Sequence, residues 1–263
     1  MKSNLALDNT GLSKKYDDVF KNDSSKFFTC NLYEESQSIV SSLDSWKDLE
    51  VFEIGCGEGN LASMISYSGA KSVYAIDYSI EAVKNANKNY NLKNVVYETK
   101  NYKQINDGKK YDVIVLQGVL EHMDQPFEDL HHIINKFLKS DGVLITSSPS
   151  FMNPRGFVLM TLFTLFDVPI SLTDKFFLCP FDFEEFAEKH KFNLSFKSSY
   201  LDWAAGETTV RDFNRRLRNA LRDANMDNSK VDKFLDWFGK AVKHYKHTDY
   251  SGAMVTYKIS HKC

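Results

Sequence analysis

The spacing of apolar and polar positions changes at about residue 150 of the chain. Up to that point, short apolar runs typical of buried strands alternate with segments whose apolar residues recur at helical spacing. The predicted strands are EVFEIG (50–55), SVYAID (72–77), NVVYET (94–99), YDVIVLQG (111–118) and VLITSS (143–148). Helices are predicted over 60–69, 80–90 and 126–142, the last with Pro126 in its first turn and Gly142 at its end. This alternation predicts a parallel sheet with helices on both faces.

The second half of the chain has a different pattern. It begins with GFVLMTLFTLF (156–166), which is apolar on all sides. Such a segment is buried, packs against a second copy, covers an apolar pocket or touches lipid. A short helix is predicted over 180–190, a strand over 193–203, helices over 207–224 and 228–245, and a last strand over 252–260. We expect these elements to complete the same sheet, with a helical insertion between its last two strands.

The first predicted strand ends in a glycine-rich turn, EIGCGEG, residues 53–59. In open α/β sheets, ligands bind beyond the carboxyl ends of the strands, where the strand order reverses. Glycines let the backbone approach a ligand closely, and the helix that follows presents its positive N-terminus. Asp77 ends the second strand, where a carboxylate can bind the two hydroxyls of a ribose. The turn therefore predicts a ligand that contains a nucleoside.

The spacing of the glycines separates two classes of nucleoside-binding enzyme. Dinucleotide binding requires G-x-G-x-x-G or A, and the sixth position counted from Gly55 is Asn60. The sequence Glu53-x-Gly55-x-Gly57-x-Gly59 instead resembles the first motif of the class I S-adenosylmethionine-dependent methyltransferases. A carboxylate near the turn suits their cofactor, because its sulfonium and ammonium groups are cationic.

The resemblance continues in order through about residues 35–150. VYAIDYS resembles the second motif of the family, VVYETKNY its third strand and turn, YDVIVLQGVLEHMDQP its fourth-strand motif, and DGVLITSSPS its fifth strand. The resemblance implies a Rossmann-like, seven-stranded, mostly parallel sheet whose last strand is antiparallel. It also implies S-adenosyl-L-methionine as the cofactor and S-adenosyl-L-homocysteine as the product. The cofactor-binding residues that it implies are Tyr16, Glu53, Gly55, Cys56, Gly57, Gly59, Asp77, Tyr78, Asn101, Tyr102 and Gln117.

The same resemblance suggests how the chain is organised within a single domain. Residues 1–45 would form an N-terminal helical cap, residues 46–150 the S-adenosylmethionine-binding core, and residues 151–263 the rest of the sheet with a substrate-covering helical insertion. Two residues of the core also have simpler interpretations. Asn101 is equally typical of an ordinary turn, and Cys56 is more typical of a small turn residue than of a nucleophile.

Composition narrows the class of protein without identifying the acceptor. The 263 residues carry a net charge of −2, which argues against a nucleic-acid partner because such a binder has a broad basic face. No pair among Cys30, Cys56, Cys179 and Cys263 has metal-ligand or redox-motif spacing, so we expect a reduced, cytoplasmic protein without a metal site. The N-terminus lacks an apolar signal core, and the run 156–166 is too short to span a bilayer, so no stable membrane insertion is expected.

His122, in the LEH that follows the fourth strand, is the candidate catalytic residue. Methyl transfer is an in-line displacement that depends on positioning, and a base helps when the acceptor is a hydroxyl or a protonated amine. Histidine titrates in the range that this role requires. The alternative is a structural histidine that holds the loop through a hydrogen bond.

The arginines are concentrated in one short segment. Five of the six lie in RDFNRRLRNALR, residues 211–222, and Arg211, Arg215, Arg218 and Arg222 share one side of the predicted helix. Arginine grips carboxylate or phosphate through a planar fork, which indicates an anionic acceptor or an acidic patch on a partner subunit, possible in a homodimer. Internal salt bridges with acids of the same and the neighbouring helix are the other interpretation. The residues expected to contact the acceptor are Arg155, Tyr200, Arg211 and Arg215.

Three functional hypotheses follow. The first is an enzyme that methylates oxygen or nitrogen of a small anionic metabolite, such as a phosphorylated, carboxylated or nucleotide-linked sugar compound. The second is methylation of a lipophilic quinone-type ring, met at a membrane surface through residues 156–166. The third is a non-catalytic nucleoside-binding protein of the same fold.

Overall fold

A computed structural model describes residues 1–3, 9–21, 32–171 and 173–262 of the chain. The described residues form a seven-stranded sheet with the order β3-β2-β1-β4-β5-β7-β6. Its strands are β1 (Glu50–Ile54), β2 (Ser72–Asp77), β3 (Val95–Thr99), β4 (Tyr111–Gln117), β5 (Leu138–Pro149), β6 (Phe192–Ser199) and β7 (Met254–His261). Strand β7 is antiparallel to both of its neighbours, and the other pairs are parallel. This confirms the predicted fold class, a Rossmann-like, mostly parallel sheet with an antiparallel last strand.

Helices cover the sheet and form the predicted insertion between β6 and β7. They are α1 (Asn9–Lys21), α2 (Leu32–Val40), α3 (Asn60–Tyr67), α4 (Ile80–Asn89), α5 (Pro126–Phe137), α6 (Pro154–Phe166), α7 (Pro180–His190), α8 (Leu201–Ala205), α9 (Glu207–Asp223) and α10 (Val231–Ala241). Short 3-10 turns lie at Tyr102–Gln104, Leu120–His122 and Val242–His244.

The strand order reverses between β1 and β4. From β1 the chain proceeds outward through β2 and β3, then returns to β4 on the other side of β1. Their register pairs Val51 with Val113 and Glu53 with Val115. Because ligands bind beyond such a switch point, the loops that follow β1 and β4 form the expected binding edge.

The boundary between α5 and β5 differs from the prediction. The helix ends at Phe137, five residues before Gly142, and Leu138 already pairs with Tyr111 of β4. A side chain at Gly142 would lie 2.8 Å from the carbonyl oxygen of Asp112. Gly142 is therefore a point of close approach between two strands and not the end of a helix.

The strand predicted over 193–203 ends at Ser199. Tyr200 adopts a left-handed conformation, with φ 54°, and α8 begins directly after it. The helix predicted over 228–245 consists of α10 followed by the 3-10 turn at Val242–His244. Sequence periodicity does not detect a single left-handed residue at the end of a strand, which explains the first difference.

The insertion has its own apolar core. Phe213 and Leu217 of α9 pack with Phe238 of α10, Leu159 of α6 and Phe177, and all five are almost fully buried. This packing places the inner faces of α6 and α9 against the same space beside the sheet. The outer face of α6 is exposed. The interpretation in which this segment is buried on all sides is therefore wrong.

Helices α1 and α2 lie within the segment predicted as an N-terminal cap. The rest of that segment, residues 4–8 and 22–31 with Cys30, lies outside the described residues, as does Cys263. The division of the domain into cap, core and insertion stays a prediction. In the described ranges, every helix is too short or too polar to cross a lipid bilayer.

Candidate active site

The glycine turn after β1 is shaped by close contacts that exclude side chains. Gly55, Gly57 and Gly59 have φ angles of 78°, 50° and 84°, in the left-handed region that glycine tolerates. A side chain at Gly55 would lie 2.4 Å from Val119 Cγ2, and one at Gly59 would lie 2.7 Å from Tyr97 Oη. The turn therefore brings bare backbone to the edge of the sheet, where a ligand can approach it.

Asp77 lies at the end of β2, beside this turn. Its carboxylate accepts hydrogen bonds from the amides of Gly57 and Ser79, each at 2.9 Å. Burial raises the pKa of Asp77, while these backbone donors oppose the rise. The side chain lines the cavity described below. It is fixed where the sequence predicted a ribose-binding acid.

Glu53 provides a test of whether a cationic cofactor fits. Its side chain is 1% exposed, and its Oε2 atom is buried without a hydrogen-bond partner in the structure. Burial, with the nearby Asp77 charge, raises its pKa well above the usual value. Burying an acceptor without a partner is unfavourable, so this oxygen is suited to a ligand that brings a donor or a positive charge. A sulfonium- and ammonium-bearing cofactor meets that requirement.

Helix α1 covers the turn with aromatic side chains. The ring of Phe20 lies 3.7 Å from the position of a Cβ on Gly57, and Tyr16 stacks on Phe20 with 6.1 Å between ring centroids. Tyr16 also meets Tyr78 edge-on at 6.3 Å. Ser79 Oγ donates to Asp17 Oδ1 at 2.6 Å, which ties α1 to the start of α4. Tyr16 and Tyr78 thus both line the cavity.

His122 contacts the same helix. Its Nε2 atom lies 3.0 Å from Tyr16 Oη, and its Nδ1 atom lies 2.9 Å from the carbonyl oxygen of Thr173 and 3.7 Å from Asp174 Oδ1. A carbonyl only accepts, so Nδ1 carries a proton, and in the neutral imidazole Nε2 then accepts from the Tyr16 hydroxyl. Burial raises the pKa of Tyr16 far above its usual value, so that hydroxyl remains protonated.

The other predicted cofactor residues also line the cavity. Cys56 is buried and free, and burial raises the pKa of its thiol well above the usual value, as expected of a turn residue and not of a nucleophile. Asn101 caps the turn that follows β3, and Tyr102 Oη donates to Asp129 Oδ1 at 2.7 Å. Gln117 Oε1 accepts from Ser36 Oγ at 2.8 Å.

The cavity continues from the glycine turn into the space under the insertion. Its volume is about 1430 Å³. Its far part is mostly apolar, with aromatic and aliphatic walls and a few charged groups. The residues of that part include Phe151, Arg155, Leu159, Ile170, Asp174, Phe177, Tyr200, Trp203, Arg216 and Met254. One cavity can therefore hold a nucleoside-containing ligand and a second, partly apolar molecule.

The arginines divide between this cavity and the outer surface. Arg155 and Arg216 line the cavity, with their Nε atoms 3.7 and 3.0 Å from the same oxygen, Asp212 Oδ2. Arg211 and Arg215 are exposed and do not line it, so the structure does not place these two where the sequence-based expectation put them.

The outer arginines of α9 fit the second interpretation given above. Arg218 pairs with Asp232 of α10, and Arg222 pairs with Asp223 at 2.8 Å. They are internal salt bridges. Two of the predicted acceptor-binding residues, Arg155 and Tyr200, line the cavity. Arg216 also lines it, although the sequence analysis did not predict this.

Two buried acids in the cavity wall were also missed. Glu35 and Glu121 are 3% and 4% exposed and line the cavity. Glu121 stands in the LEH segment but was not taken as a site residue. Glu35 gave no sequence signal, because a lone acid in a short helix is indistinguishable from a surface residue. Among the described residues, no group of three or more His, Cys, Asp or Glu is placed to hold a metal ion.

Comparison with known proteins gives a consistent result. A family model of a methyltransferase domain matches residues 17–191. The mitochondrial ubiquinone biosynthesis O-methyltransferase of Saccharomyces cerevisiae is 29% identical over 121 residues, 44% of this chain and 38% of that protein. The ribosomal protein L11 methyltransferase of Clostridium perfringens is 33% identical over 120 residues, 44% of this chain and 37% of that protein. The chain thus spans about two fifths of the length of these curated relatives.

Solved structures share the fold over nearly the whole chain. The DhpI–SAM–HEP complex has a TM-score of 0.60 at 13% identity, with 94% of both chains covered. A methyltransferase in complex with the Haloferax volcanii Trm112 activator has a TM-score of 0.64 at 12% identity, with 95% of this chain and 98% of that chain covered. At these identities the likeness shows the fold alone.

Proposed function

Because the chain belongs to the class I S-adenosylmethionine-dependent methyltransferases, we propose that it methylates oxygen or nitrogen of a small acceptor that carries an acidic group. The observation that carries this proposal is the single cavity that joins the glycine turn to the arginine-bearing space under the insertion. The cofactor supplies an electrophilic methyl group. The turn, Glu53 and Asp77 would hold it, and the far part of the cavity would hold the acceptor.

Arg155 and Arg216 support an acidic acceptor. Both guanidinium groups face the cavity and share one carboxylate oxygen of Asp212. Arg216 Nη1 also donates to the carbonyl oxygen of Ile170 at 3.4 Å. A planar guanidinium can still present a second edge to a carboxylate or phosphate. The apolar walls around the pair favour an acceptor with an apolar body and one acidic group.

In this proposal His122 remains the candidate base. Its Nε2 atom accepts from Tyr16, so an acceptor hydroxyl would reach it by replacing the Tyr16 hydroxyl. Tyr200 would contact the acceptor from the junction of β6 and α8. The net charge of −2 supports a small molecule and not a nucleic acid as the partner, and the cavity has room for the cofactor and one such molecule. Buried, free Cys56 and Cys179 suit a cytoplasmic protein.

The test is methyl transfer from labelled S-adenosylmethionine to a panel of hydroxy- and amino-substituted acids, beginning with 3,4-dihydroxybenzoate and its uncharged counterpart catechol. Arg216→Gln should raise the KM for the acid about 10-fold or more, equivalent to one charge-assisted hydrogen bond, and leave the KM for catechol unchanged. The matched control is Arg215→Gln, the exposed neighbour on the same helix, which should behave as wild type. No transfer to any acid, or equal KM values for acid and catechol, would refute this class of acceptor.

A lipophilic ring met at a membrane is the second candidate. The observation that favours it is the outer face of α6, where Phe157, Leu165 and Phe166 are 56%, 69% and 53% exposed. The inner residues of the same helix line the cavity. Sedimentation with lipid vesicles would distinguish the two candidates. Binding that is lost in a Leu165→Ser, Phe166→Ser double variant would support the membrane route, and absence of binding by the wild type would oppose it.

A further inference from the structure

The cavity contains a carboxyl pair at the carboxyl end of β4. The Oε1 atoms of Glu121 and Glu35 lie 3.6 and 3.7 Å from the position of a Cβ on Gly118. Gly118 directly follows β4, and its neighbour Val119 packs on Gly55 of the cofactor turn. The pair therefore lies where the two parts of the cavity meet, beside the turn rather than at the far end of the acceptor space.

The two acids differ in how they are held. Ser147 Oγ donates to Glu35 Oε1 at 2.5 Å, and Gln117 also hydrogen-bonds this carboxyl group. Glu121 Oε2 accepts from Ser148 Oγ at 3.2 Å. No lysine or arginine among the described residues forms an ion pair with either acid. Burial raises the pKa of Glu35 to about 7 and that of Glu121 well above its usual value. The pKa of Glu35 is therefore raised into the neutral range, and burial also raises that of Glu121.

Tyr200 fixes the position of Glu35. Its hydroxyl oxygen accepts a hydrogen bond from the Glu35 amide at 2.9 Å, and its own amide donates to Glu34 Oε1 at 2.8 Å. Tyr200 is 4% exposed and left-handed, a conformation that costs free energy in a residue other than glycine. The reciprocal bonds join the start of α2 to the end of β6. They fix the backbone of α2 at Glu35 against the end of β6, and so set where the Glu35 side chain enters the cavity wall.

We propose that the Glu35 carboxylate accepts the proton that the acceptor loses on methylation, with Tyr200 as its positioning residue. The inference rests on the proposed function. An acceptor lone pair forms the bond to the methyl carbon, the electrons of the broken carbon–sulfur bond stay on sulfur, and the O–H or N–H proton passes to Glu35. A base whose proton affinity matches the working pH suits this task. Both ring nitrogens of His122 are already hydrogen-bonded. Glu35 lines the cavity beside the cofactor turn and would act as the base in place of His122, which would then have a structural role.

Several ionisable groups surround Glu35, so a pH experiment must distinguish the titration of Glu35 from theirs. Glu121 faces it from the turn after β4, Tyr200 from the start of α8, and Glu34 precedes it on α2. Lys258 of β7 lies at the other end of α2 and donates to the carbonyl oxygen of Ser42. Assignment of any pH effect therefore requires direct observation of Glu35.

The experiment combines carbon-13 NMR of the glutamate carboxyls with methyl transfer to 3,4-dihydroxybenzoate, both between pH 5.5 and 8.5. The NMR sample is the complex with S-adenosylhomocysteine, and the signal is assigned by its loss in Glu35→Gln. We expect a Glu35 midpoint at about 7, and kcat/KM that rises with pH through the same midpoint. Glu35→Gln should lower kcat about 100-fold or more and abolish this rise, without changing the affinity for S-adenosylhomocysteine.

Tyr200→Phe tests whether Tyr200 positions the Glu35 carboxyl group or only stabilises the folded protein. It should move the Glu35 midpoint and the kinetic midpoint together, which a merely structural defect would not do. Glu188→Gln, exposed on α7, is the control and should match the wild type.

The possible failures are distinguishable. A Glu35 midpoint near 4.5, or a rise that persists in Glu35→Gln, would overturn this inference alone. A wild-type protein that binds S-adenosylhomocysteine but methylates no acid in the panel would overturn the proposed function, and this inference with it.

Discussion

His122 and Tyr16 illustrate how one side chain can have two roles. The sequence placed the histidine after β4, and the structure adds that the Tyr16 hydroxyl donates to it from the helix above the cofactor turn. The contact supplies Nε2 with a hydrogen-bond partner, and it also places a hydrogen-bonded His–Tyr pair in the cavity wall. A structural role needs only these contacts, whereas a catalytic role also requires the Tyr16 hydroxyl to move away from Nε2.

Substitution of the pair distinguishes these interpretations. If His122 takes part in the reaction, His122→Ala should lower kcat about 100-fold or more and change the S-adenosylhomocysteine Kd by less than about threefold. Tyr16→Phe removes the same hydrogen bond but leaves the imidazole in place, so it should retain most of kcat. Full turnover in His122→Ala, measured at saturating cofactor, would leave His122 with a structural role only.

Glu35 also affects the free energy of unfolding. Its carboxyl has a pKa of about 7 in the folded protein against 4.5 for the unperturbed group, so the folded state binds the proton more tightly. Stability is therefore lost as the pH rises from about 4.5 through 7, by up to about 3 kcal/mol once the group is ionised in both states.

Chemical denaturation of wild type and Glu35→Gln at pH 5 and pH 8 tests this linkage. We expect the difference in unfolding free energy between them to shift in favour of the variant by about 2–3 kcal/mol between the two pH values. Glu188→Gln should show no such shift. A difference that is independent of pH would mean that Glu35 is ionised at both values.

At the scale of elements, periodicity predicted most of the sheet and its helices because apolar spacing directly reflects burial. It did not predict the early start of β5 or the left-handed Tyr200, since both depend on contacts with distant segments. The glycine turn was predictable because its residue type is dictated by local backbone conformation. Glu35 and Arg216 were not, because their sites form only when α2 and α9 meet the sheet and α6.

Gly59, in the turn between β1 and α3, and Gly108, in the loop before β4, are two left-handed glycines that offer a matched comparison. Gly59→Ala adds a methyl group 2.7 Å from Tyr97 Oη, whereas Gly108→Ala meets nothing within 4 Å. Both changes incur the cost of a left-handed alanine, about 1–2 kcal/mol, and Gly59→Ala adds about 1–3 kcal/mol of overpacking.

Thermal unfolding and cofactor titration together check the comparison. Gly59→Ala should be the less stable variant and should bind S-adenosylhomocysteine more weakly. Gly108→Ala should keep wild-type affinity. Equal stability and affinity in the two variants would show that the turn is not shaped by the contact with Tyr97.

At the scale of the whole molecule, the sheet presents the cofactor turn at its switch point, and the insertion between β6 and β7 closes the space beside it. The cofactor half follows a family pattern that the sequence displays. The acceptor half is built from α2, α6, α8 and α9, whose residues meet only in the folded chain. For that reason the sequence predicts the methyl donor better than the acceptor.

Calorimetric titration with S-adenosylmethionine, S-adenosylhomocysteine and NAD tests the central claim most directly. We predict micromolar binding of the first two and none of NAD, with binding weakened about 10- to 100-fold in Asp77→Ala because the buried ribose contact is lost. Arg215→Gln, far from the turn, should bind as wild type does. Binding of NAD alone, or full affinity in Asp77→Ala, would contradict the assignment of the turn to S-adenosylmethionine.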